Sequence, residues 1–516
     1  MKYMKEKYNI RKYYFLIIIF VAVLIRCINL TQPLLEGGST RQVENAMIAR
    51  NFYENKLDIF YPYLNDYGKD PVYQLVEFQL IPFIGAVIYR ILGGVYEPVL
   101  RCIIIFFFAL SVVVLYKFVK YYFDETLALC SVFVFSFSPI SIYLGRAFHY
   151  EMPMIFFMLL TLYCFSLWKD TMKPIYIFIF SISFGLALLL KAINFYIILI
   201  LIYLALNKFR EKIFKKAELY VFLGVTSMVV LSWYIHAHAV MVKFPNKYSI
   251  YYINSFGYIW QMIKYWLVNP VFYKINFDNL VTYTLTPLGF TLAIVGFFLK
   301  MENKNELLIY VWLLSACILF AFVPAQAGQG YYQIHFLIPC GLLIGKSVKK
   351  LINLDFFNSG ILNKKLFVFC ILIIVSVVVT RYSIGFYRVP ANFRNVVKAG
   401  AEIQRLTKKE DLIIASIENS PELLYYCNRN GWPLMIDEEA RRERDETEAI
   451  DVSNRIYDPI RILEQFRKEG AAYFVSASVE KEFLANQEFS NYMFRNYRAL
   501  TKNSEFIIFD LKEKIY

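Results

Sequence analysis

The chain has 516 residues, 58% of them hydrophobic and 18% aromatic, with a mean hydropathy of +0.45. That composition excludes a soluble domain of ordinary patterning and indicates a polytopic membrane protein. The net charge of +14 does not point to nucleic acid, because the Lys and Arg residues sit in short clusters between apolar runs, where membrane orientation accounts for them.

Lys2, Lys5, Lys7, Arg11 and Lys12 precede an apolar run at 13–30. The run lacks a convincing small-residue cleavage site and further spans follow, so it reads as an uncleaved first helix with a cytoplasmic N-terminus. A loop then gathers Glu36, Arg41, Gln42, Glu44, Arg50, Asp58, Asp66, Lys69, Asp70 and Glu77 within residues 31–77. Charge beside a bilayer is costly unless it faces water or a polar ligand, so this cluster is a site hypothesis. Residues 78–95 are apolar enough to span, but counting them would turn every later Lys cluster outward. They are expected to form an interfacial or re-entrant helix, broken by Pro82 and carrying Arg90.

Apolar segments at 100–118, 124–143, 152–168, 175–190, 192–207, 218–236, 281–299, 307–324, 331–347 and 366–384 complete about eleven expected spans. Lys117, Lys120, Lys169, Lys173, the cluster Lys208 to Lys216, Lys300, Lys304, Lys346, Lys349, Lys350, Lys364 and Lys365 mark one side, which the positive-inside rule makes cytoplasmic. The first external loop (31–99), the turn Gly145–Pro153 (GRAFHYEMP), the segment 237–280 and the loop 326–335 (QAGQGYYQIH) then share the external face. No ATP or sugar nucleotide is expected there. An enzyme on that face needs a substrate activated and delivered by the membrane, such as a polyprenyl-phosphate-linked group.

The tail changes character. Phe393–Ile417 reads as an amphipathic helix followed by a strand, and Gly470–Ser478 and Glu505–Leu511 read as further strands. The expected organisation is a transmembrane domain at 1–388 and an extracytoplasmic soluble α/β domain at 389–516. The tail holds no nucleophile elbow, P-loop, metal-ligand spacing or histidine, so its expected role is a substrate lid or docking module. Of the eight cysteines only Cys427 falls in it, and no disulfide framework or Cys-rich metal site is implied.

Thr40–Pro62 (TRQVENAMIARNFYENKLDIFYP), the GRAFHYEMP turn, Tyr331–Pro339 (YYQIHFLIP) and the tail together resemble the bacterial membrane glycosyltransferases related to protein O-mannosyltransferases and lipid A aminoarabinose transferases. These are GT-C fold enzymes of the family 39 type. The resemblance implies sugar transfer from a polyprenyl-phosphate donor to a lipid, glycan or protein acceptor at the external membrane face, with a first-loop acid at the catalytic centre. Many members carry an Asp-Glu pair ahead of an Ala-x-Ile-Ala-Arg-like helix. Aligning that helix on Ala46 to Arg50 puts Arg41 and Gln42 where the acids would fall, which moves the expected base to Glu44.

Chemistry supports a carboxylate there. An acceptor hydroxyl attacking an anomeric carbon needs a nearby base, whereas phosphate leaves without a second acid but needs cations for its growing charge. Arg41, Lys69, Arg146 and Lys191 are the candidate cations, Arg being suited to bidentate phosphate contact. Lys191 stands between two apolar runs without another charge near it in sequence, so either an anion or snorkelling to the interface accounts for it. Glu151 falls at the external start of a span, where the family usually carries a second-loop acid. It serves equally as a helix-start residue, as does Glu77. His149, Tyr331, Tyr332 and His335 lie in matching external loops and are candidate substrate contacts. Glu44 is also placed to pair with Arg41 or Arg50, while Glu36, Asp58 and Asp66 read as ordinary solvated loop. A metal held by Glu44, Glu151 and His149 is conceivable, but no cofactor is expected to be required. The aromatics of Tyr251–Leu267 suit a sugar or lipid groove or an interfacial belt.

Two other functions fit the same setting. A surface-glycan polymerase or ligase would place its key Arg and His residues in large central loops. A lipid-linked glycan transporter or flippase would show paired intramembrane charges and inverted repeats, and no such repeat is evident.

Overall fold

Apolar runs dominate, and because backbone amides in hydrocarbon must bond within their own segment, those runs become helices. The computed structural model describes residues 2–245, 264, 267–322, 330–353, 377–417, 421–436 and 458–515. Its helices in chain order begin with α1 (Lys2–Arg26), α2 (Ser39–Glu54), α3 (Leu80–Leu92), α4 (Glu97–Tyr122), α5 (Glu125–Phe137), α6 (Pro139–Leu144) and α7 (Glu151–Thr171). Then come α8 (Pro174–Leu190), α9 (Ile198–Phe209), α10 (Ala217–Lys243), α11 (Pro270–Asn279), α12 (Thr286–Phe298), α13 (Leu307–Phe322) and α14 (Ile334–Ile352). Two compact units result. One comprises Met1–Leu30, Arg101–Ala239 and Ile253–Phe386, and the other Thr31–Leu100, Val240–Tyr252 and Tyr387–Tyr516.

Among the described residues five helical stretches are long and apolar enough to cross a membrane: Glu97–Tyr122, Glu151–Thr171, Ala192–Lys215, Ala217–Lys243 and Lys304–Ala321. A sixth is the pair Pro270–Thr284 and Thr286–Phe298, bent by 103°. Other expected spans are shorter or interrupted. The segment 124–143 is divided into α5 and α6 at Ser138, where Pro139 supplies no amide to continue the ladder. The last expected span, 366–384, lies mostly outside the described residues.

The interruption between α5 and α6 is stabilised by Arg26, at the end of α1 and fully buried. Its guanidinium donates to the carbonyls of Ala22 (2.9 Å), Ser136 (3.0 Å) and Ser141 (2.8 Å) and lies 3.4 Å from the centre of the Phe108 ring. A charge that would be costly in an apolar setting is thus satisfied by carbonyls, that of Ser136 among them at the end of α5. Elsewhere in this unit Lys346 pairs with Glu306 at 2.8 Å, both buried.

In the other unit the 13 residues of α3 span about 20 Å at 1.5 Å per residue, short of the roughly 30 Å hydrocarbon core. Pro82 does not break it, as the sequence suggested. It is the third residue of the helix, where a missing amide costs nothing because first-turn amides have no helical partner. Strands β1 (Tyr63–Leu64) and β2 (Val72–Tyr73) pair antiparallel and bracket the turn that contains Asp66 and Lys69.

The tail forms α15 (Val396–Leu406), β3 (Leu412–Ser416), α16 (Glu422–Cys427), β4 (Gly431–Pro433), α17 (Pro459–Lys468), β5 (Ala471–Ser476), α18 (Gln487–Asn496), β6 (Arg498–Lys502) and β7 (Ile507–Asp510). Its sheet runs β4-β3-β5-β7-β6, the first three strands parallel and the last two pairings antiparallel. The central strands β3 and β5 are buried along nearly their whole length, whereas β6 alternates exposed and half-buried residues, as an edge strand should. Ile414, Phe474, Phe483, Phe489 and Phe509 centre the core. Asp458 and Asn486 cap α17 and α18 by accepting first-turn amides.

Candidate active-site residues

In the membrane unit the expected external residues form one polar group. Glu151 is the first residue of α7 and only 2% exposed. Lys191 follows α8 in extended conformation (φ −155°, ψ 115°), so the helix ends there. Asn194 donates to the carbonyls of Ala187 (2.8 Å) and Lys191 (3.0 Å), which satisfies the broken end. Lys191 Nζ lies 2.5 Å from Glu151 Oε1, and 4.7 and 4.8 Å from the centres of the Tyr331 and Tyr332 rings. His149 Nδ1 is 3.5 Å from the other oxygen of Glu151, and its imidazole meets the Tyr331 ring edge to face at 5.9 Å.

His335 sits deeper, with Nδ1 3.3 Å from the Tyr196 hydroxyl, which in turn contacts Met158 Sδ at 3.0 Å. Arg146 is fully buried and donates to the carbonyl of Asn29 at 3.0 Å. The group therefore combines a buried carboxylate–lysine pair, a histidine and two tyrosine rings. Its cation is held in advance by a carboxylate that an incoming anion would have to replace or share.

The first loop builds a second group, in the other unit. Gly38, at φ 69°, turns the chain into α2, and one turn on Arg41 Nη1 lies 3.2 Å from Glu44 Oε2. These side chains are 43% and 19% exposed. Lys69 is exposed on the β1–β2 turn, and Glu77 is half-buried ahead of α3. Asp58, half-buried, pairs with Lys56 at 2.9 Å.

Two loop acids depart from the expectation of solvation. Glu36 is fully buried and accepts from the Gln32 amide, and Asp66 is 3% exposed. Burial, then the neighbouring Glu44 charge, pushes the Asp66 carboxyl up to about 8. The reason is tertiary: the turn holding Asp66 is clamped on the tail, with Gly68 donating to the Gly431 carbonyl (2.7 Å) and Gly431 to that of Asn65 (3.0 Å).

Sequence reasoning also missed Glu422. It opens α16, is fully buried, and accepts from the hydroxyls of Ser39 (2.5 Å) and Thr40 (3.0 Å) at the start of α2. Burial raises its carboxyl above the usual range, opposed by those hydroxyls and aided by the Glu44 charge. The only local sign was an acid beside a proline, Pro421, a common helix-start pattern. Among the described residues no group of three or more His, Cys, Asp or Glu is arranged to hold a metal ion. The aromatic stretch Tyr251–Leu267 lies outside the described residues apart from 264 and 267, and so does the 326–329 part of the last external loop.

Residues 79–236 match the family model described as dolichyl-phosphate-mannose-protein mannosyltransferase. Comparison with curated proteins finds no match. Among solved structures, ArnT from Cupriavidus metallidurans bound to undecaprenyl phosphate aligns with a TM-score of 0.63 at 13% identity, over 96% of this chain and 97% of that one. The archaeal oligosaccharyltransferase AglB from Archaeoglobus fulgidus, in complex with an inhibitory peptide and a dolichol-phosphate, aligns at 0.57 and 13% identity, over 96% of this chain and 74% of its own. The mycobacterial arabinofuranosyltransferase AftD aligns at 0.53 and 10% identity, covering 97% of this chain and 41% of AftD. The chain is thus a polytopic membrane protein with the GT-C membrane-glycosyltransferase fold and a small C-terminal sheet region.

Proposed function

We propose that this protein transfers a sugar from a polyprenyl-phosphate donor to a lipid, glycan or protein acceptor at the external face of the cytoplasmic membrane. The N-terminus then lies in the cytoplasm and the C-terminal domain outside. The observation that carries the reading is the Lys191 group: a largely covered ammonium in the membrane unit, paired at 2.5 Å with the buried Glu151 and faced by two tyrosine rings. Ionisable residues in such surroundings mark substrate sites by default. The fold shared with ArnT bound to undecaprenyl phosphate supports a polyprenyl phosphate as the anion.

In this reading Glu44 takes the proton of the acceptor hydroxyl as its oxygen bonds to the anomeric carbon. The anomeric C–O bond breaks, and the polyprenyl phosphate leaves with the electron pair. Arg41 lies 3.2 Å from the Glu44 carboxylate and orients it. Within the membrane unit Lys191 and Arg146 are candidate cations for phosphate charge, and Glu151 holds Lys191 in place until the donor arrives; Lys69 and Arg41 are the candidate cations of the first loop. His149, Tyr331 and Tyr332 border Lys191 as candidate sugar or phosphate contacts, and His335 and Glu77 are further candidate substrate contacts. Phosphate leaves unaided by a general acid, so the reaction calls for no cofactor.

The test is transfer from radiolabelled polyprenyl-phosphate sugars to a panel of acceptors by purified protein, with Glu44→Gln alongside. The variant should lose at least 100-fold in kcat with donor KM little changed, in line with the loss of a general base. Full transfer by Glu44→Gln would remove Glu44 as the base. No transfer by the wild type with any donor would reject the proposal.

A further inference from the structure

The tail carries no recognisable motif, yet it supplies a buried acid to the helix of the proposed base. On α2, Thr40, Glu44 and Met47 follow one another along one face at helical spacing. At the Thr40 end lies Glu422, hydrogen-bonded to Ser39 and Thr40. At the Met47 end lies the β1–β2 turn, whose Asn65 amide contacts Met47 Sδ at 3.0 Å and whose next residue is Asp66. Glu44 therefore has a second carboxyl on either side. Glu422 is fully buried and Asp66 nearly so, and among the described residues Glu422 Oε2 and Asp66 Oδ1 have no hydrogen-bond partner.

Among the described residues these charges face the cluster. On α2 they are Arg41, half-exposed and paired with Glu44, and Arg50, which is committed to the Tyr425 carbonyl at 2.5 Å and stacks on that ring at 3.9 Å. From the turn comes Asp66 and from α16 Glu422, while the adjoining Asn65, Asn430, Ser39 and Thr40 do not titrate. Among the described residues neither Asp66 nor Glu422 has an ion pair, and both lie where water is largely excluded. Two buried oxygens without donors fit carboxylic acids rather than carboxylates, since a neutral acid leaves far less charge unsolvated.

We propose that Asp66 and Glu422 are positioning residues for Glu44: the three carboxyls share at least one proton at neutral pH, held on Asp66 or Glu422. Glu44 thereby stays the ionised member, with a neutral acid beside it. Because Glu422 belongs to the tail, docking of the tail sets the protonation of the first loop. The proposal rests on the reading of Glu44 as base, but its central test does not need turnover.

The measurement is infrared difference titration of the purified full-length protein, following the carbonyl stretch of protonated carboxylic acids. The wild type should show a band that disappears on raising the pH through about 8, the value to which burial and Glu44 push Asp66. Asp66→Asn should remove that component, Glu422→Gln should remove a second one, and Glu44→Gln, by deleting a like charge, should move the Asp66 midpoint down. In turnover, Asp66→Asn should abolish the inflection of kcat/KM near the same pH while donor KM is unchanged, which a merely structural acid would not do. A protonated-acid band that neither Asp66→Asn nor Glu422→Gln alters would overturn the shared proton. Wild-type turnover by Glu44→Gln would instead overturn the base assignment, and the two outcomes are read separately.

Discussion

Replacing Lys191 with Met removes the ammonium 2.5 Å from Glu151 Oε1 and leaves a carboxylate with 2% exposure. At that separation the Coulomb attraction is about 6–7 kcal/mol for an effective dielectric of about 20. Most of it offsets the desolvation of the two ions, so the pair itself adds little net stability. Breaking the pair is different, because the remaining charge has lost its compensation. Lys191→Met should cost about 3–5 kcal/mol, roughly two to nearly four orders of magnitude in the folding equilibrium. His149, 3.5 Å from the second oxygen, limits the damage, so the low end is expected. The double variant Glu151→Gln/Lys191→Met should return to within about 1 kcal/mol of the wild type, so that two single losses of about 3 kcal/mol each leave a coupling energy of about 5 kcal/mol in a double-mutant cycle. The assay is SDS-driven unfolding in mixed micelles followed by tryptophan fluorescence, with binding of a polyprenyl phosphate measured on the same four proteins. If Lys191 contacts phosphate, the double variant regains stability but not affinity. A Lys191→Met protein as stable as the wild type would refute the buried-pair argument, and recovered affinity in the double variant would return Lys191 to a structural role.

Gly145→Ala should destabilise the membrane unit by about 1–3 kcal/mol, because the added methyl would lie 2.1 Å from Arg26 Nε and 2.6 Å from the Ser141 carbonyl. The same SDS titration checks it, and an unchanged midpoint would mean that Arg26 does not fill that space. In the tail, burial alone would raise the Glu464 carboxyl, but the Tyr497 and Tyr492 hydroxyls, Arg467 at 3.1 Å and Lys514 at 3.4 Å outweigh burial and hold it down at about 2. Its folded value is depressed, so its contribution is present above the ordinary value of 4.5 and is lost as pH falls from there towards about 2. The protection factors of the α17 and β5 amides, taken relative to the intrinsic exchange rate at each pH, should therefore fall over that window in the wild type and less so in Glu464→Gln.

Most of the architecture was legible because a bilayer and a sheet impose strong periodic constraints. Apolar runs near 20 residues announce helices, the Lys clusters announce a side, and the amphipathic and β-branched segments of the tail announced α15, β3, β5 and β7. Where those runs are interrupted was harder to read. Pro139 divides α5 from α6, yet Pro82 starts α3 rather than ending it, since the effect of a proline depends on which turn of the helix receives it.

The candidate site divides along the same line. Residue type and spacing drew attention to the charged first loop and to Lys191 between two apolar runs, and the family resemblance singled out Glu44 on α2 and Glu151 at the start of α7. Only the tertiary structure decided that Lys191 faces Glu151, forty residues away in sequence, rather than snorkelling to an interface, and that Asp66 and Glu36 are buried rather than solvated. It alone brought Glu422 to the start of α2. Burial and long-range pairing depend on what folds over a residue, and here that cover comes from a tail more than 300 residues further along the chain.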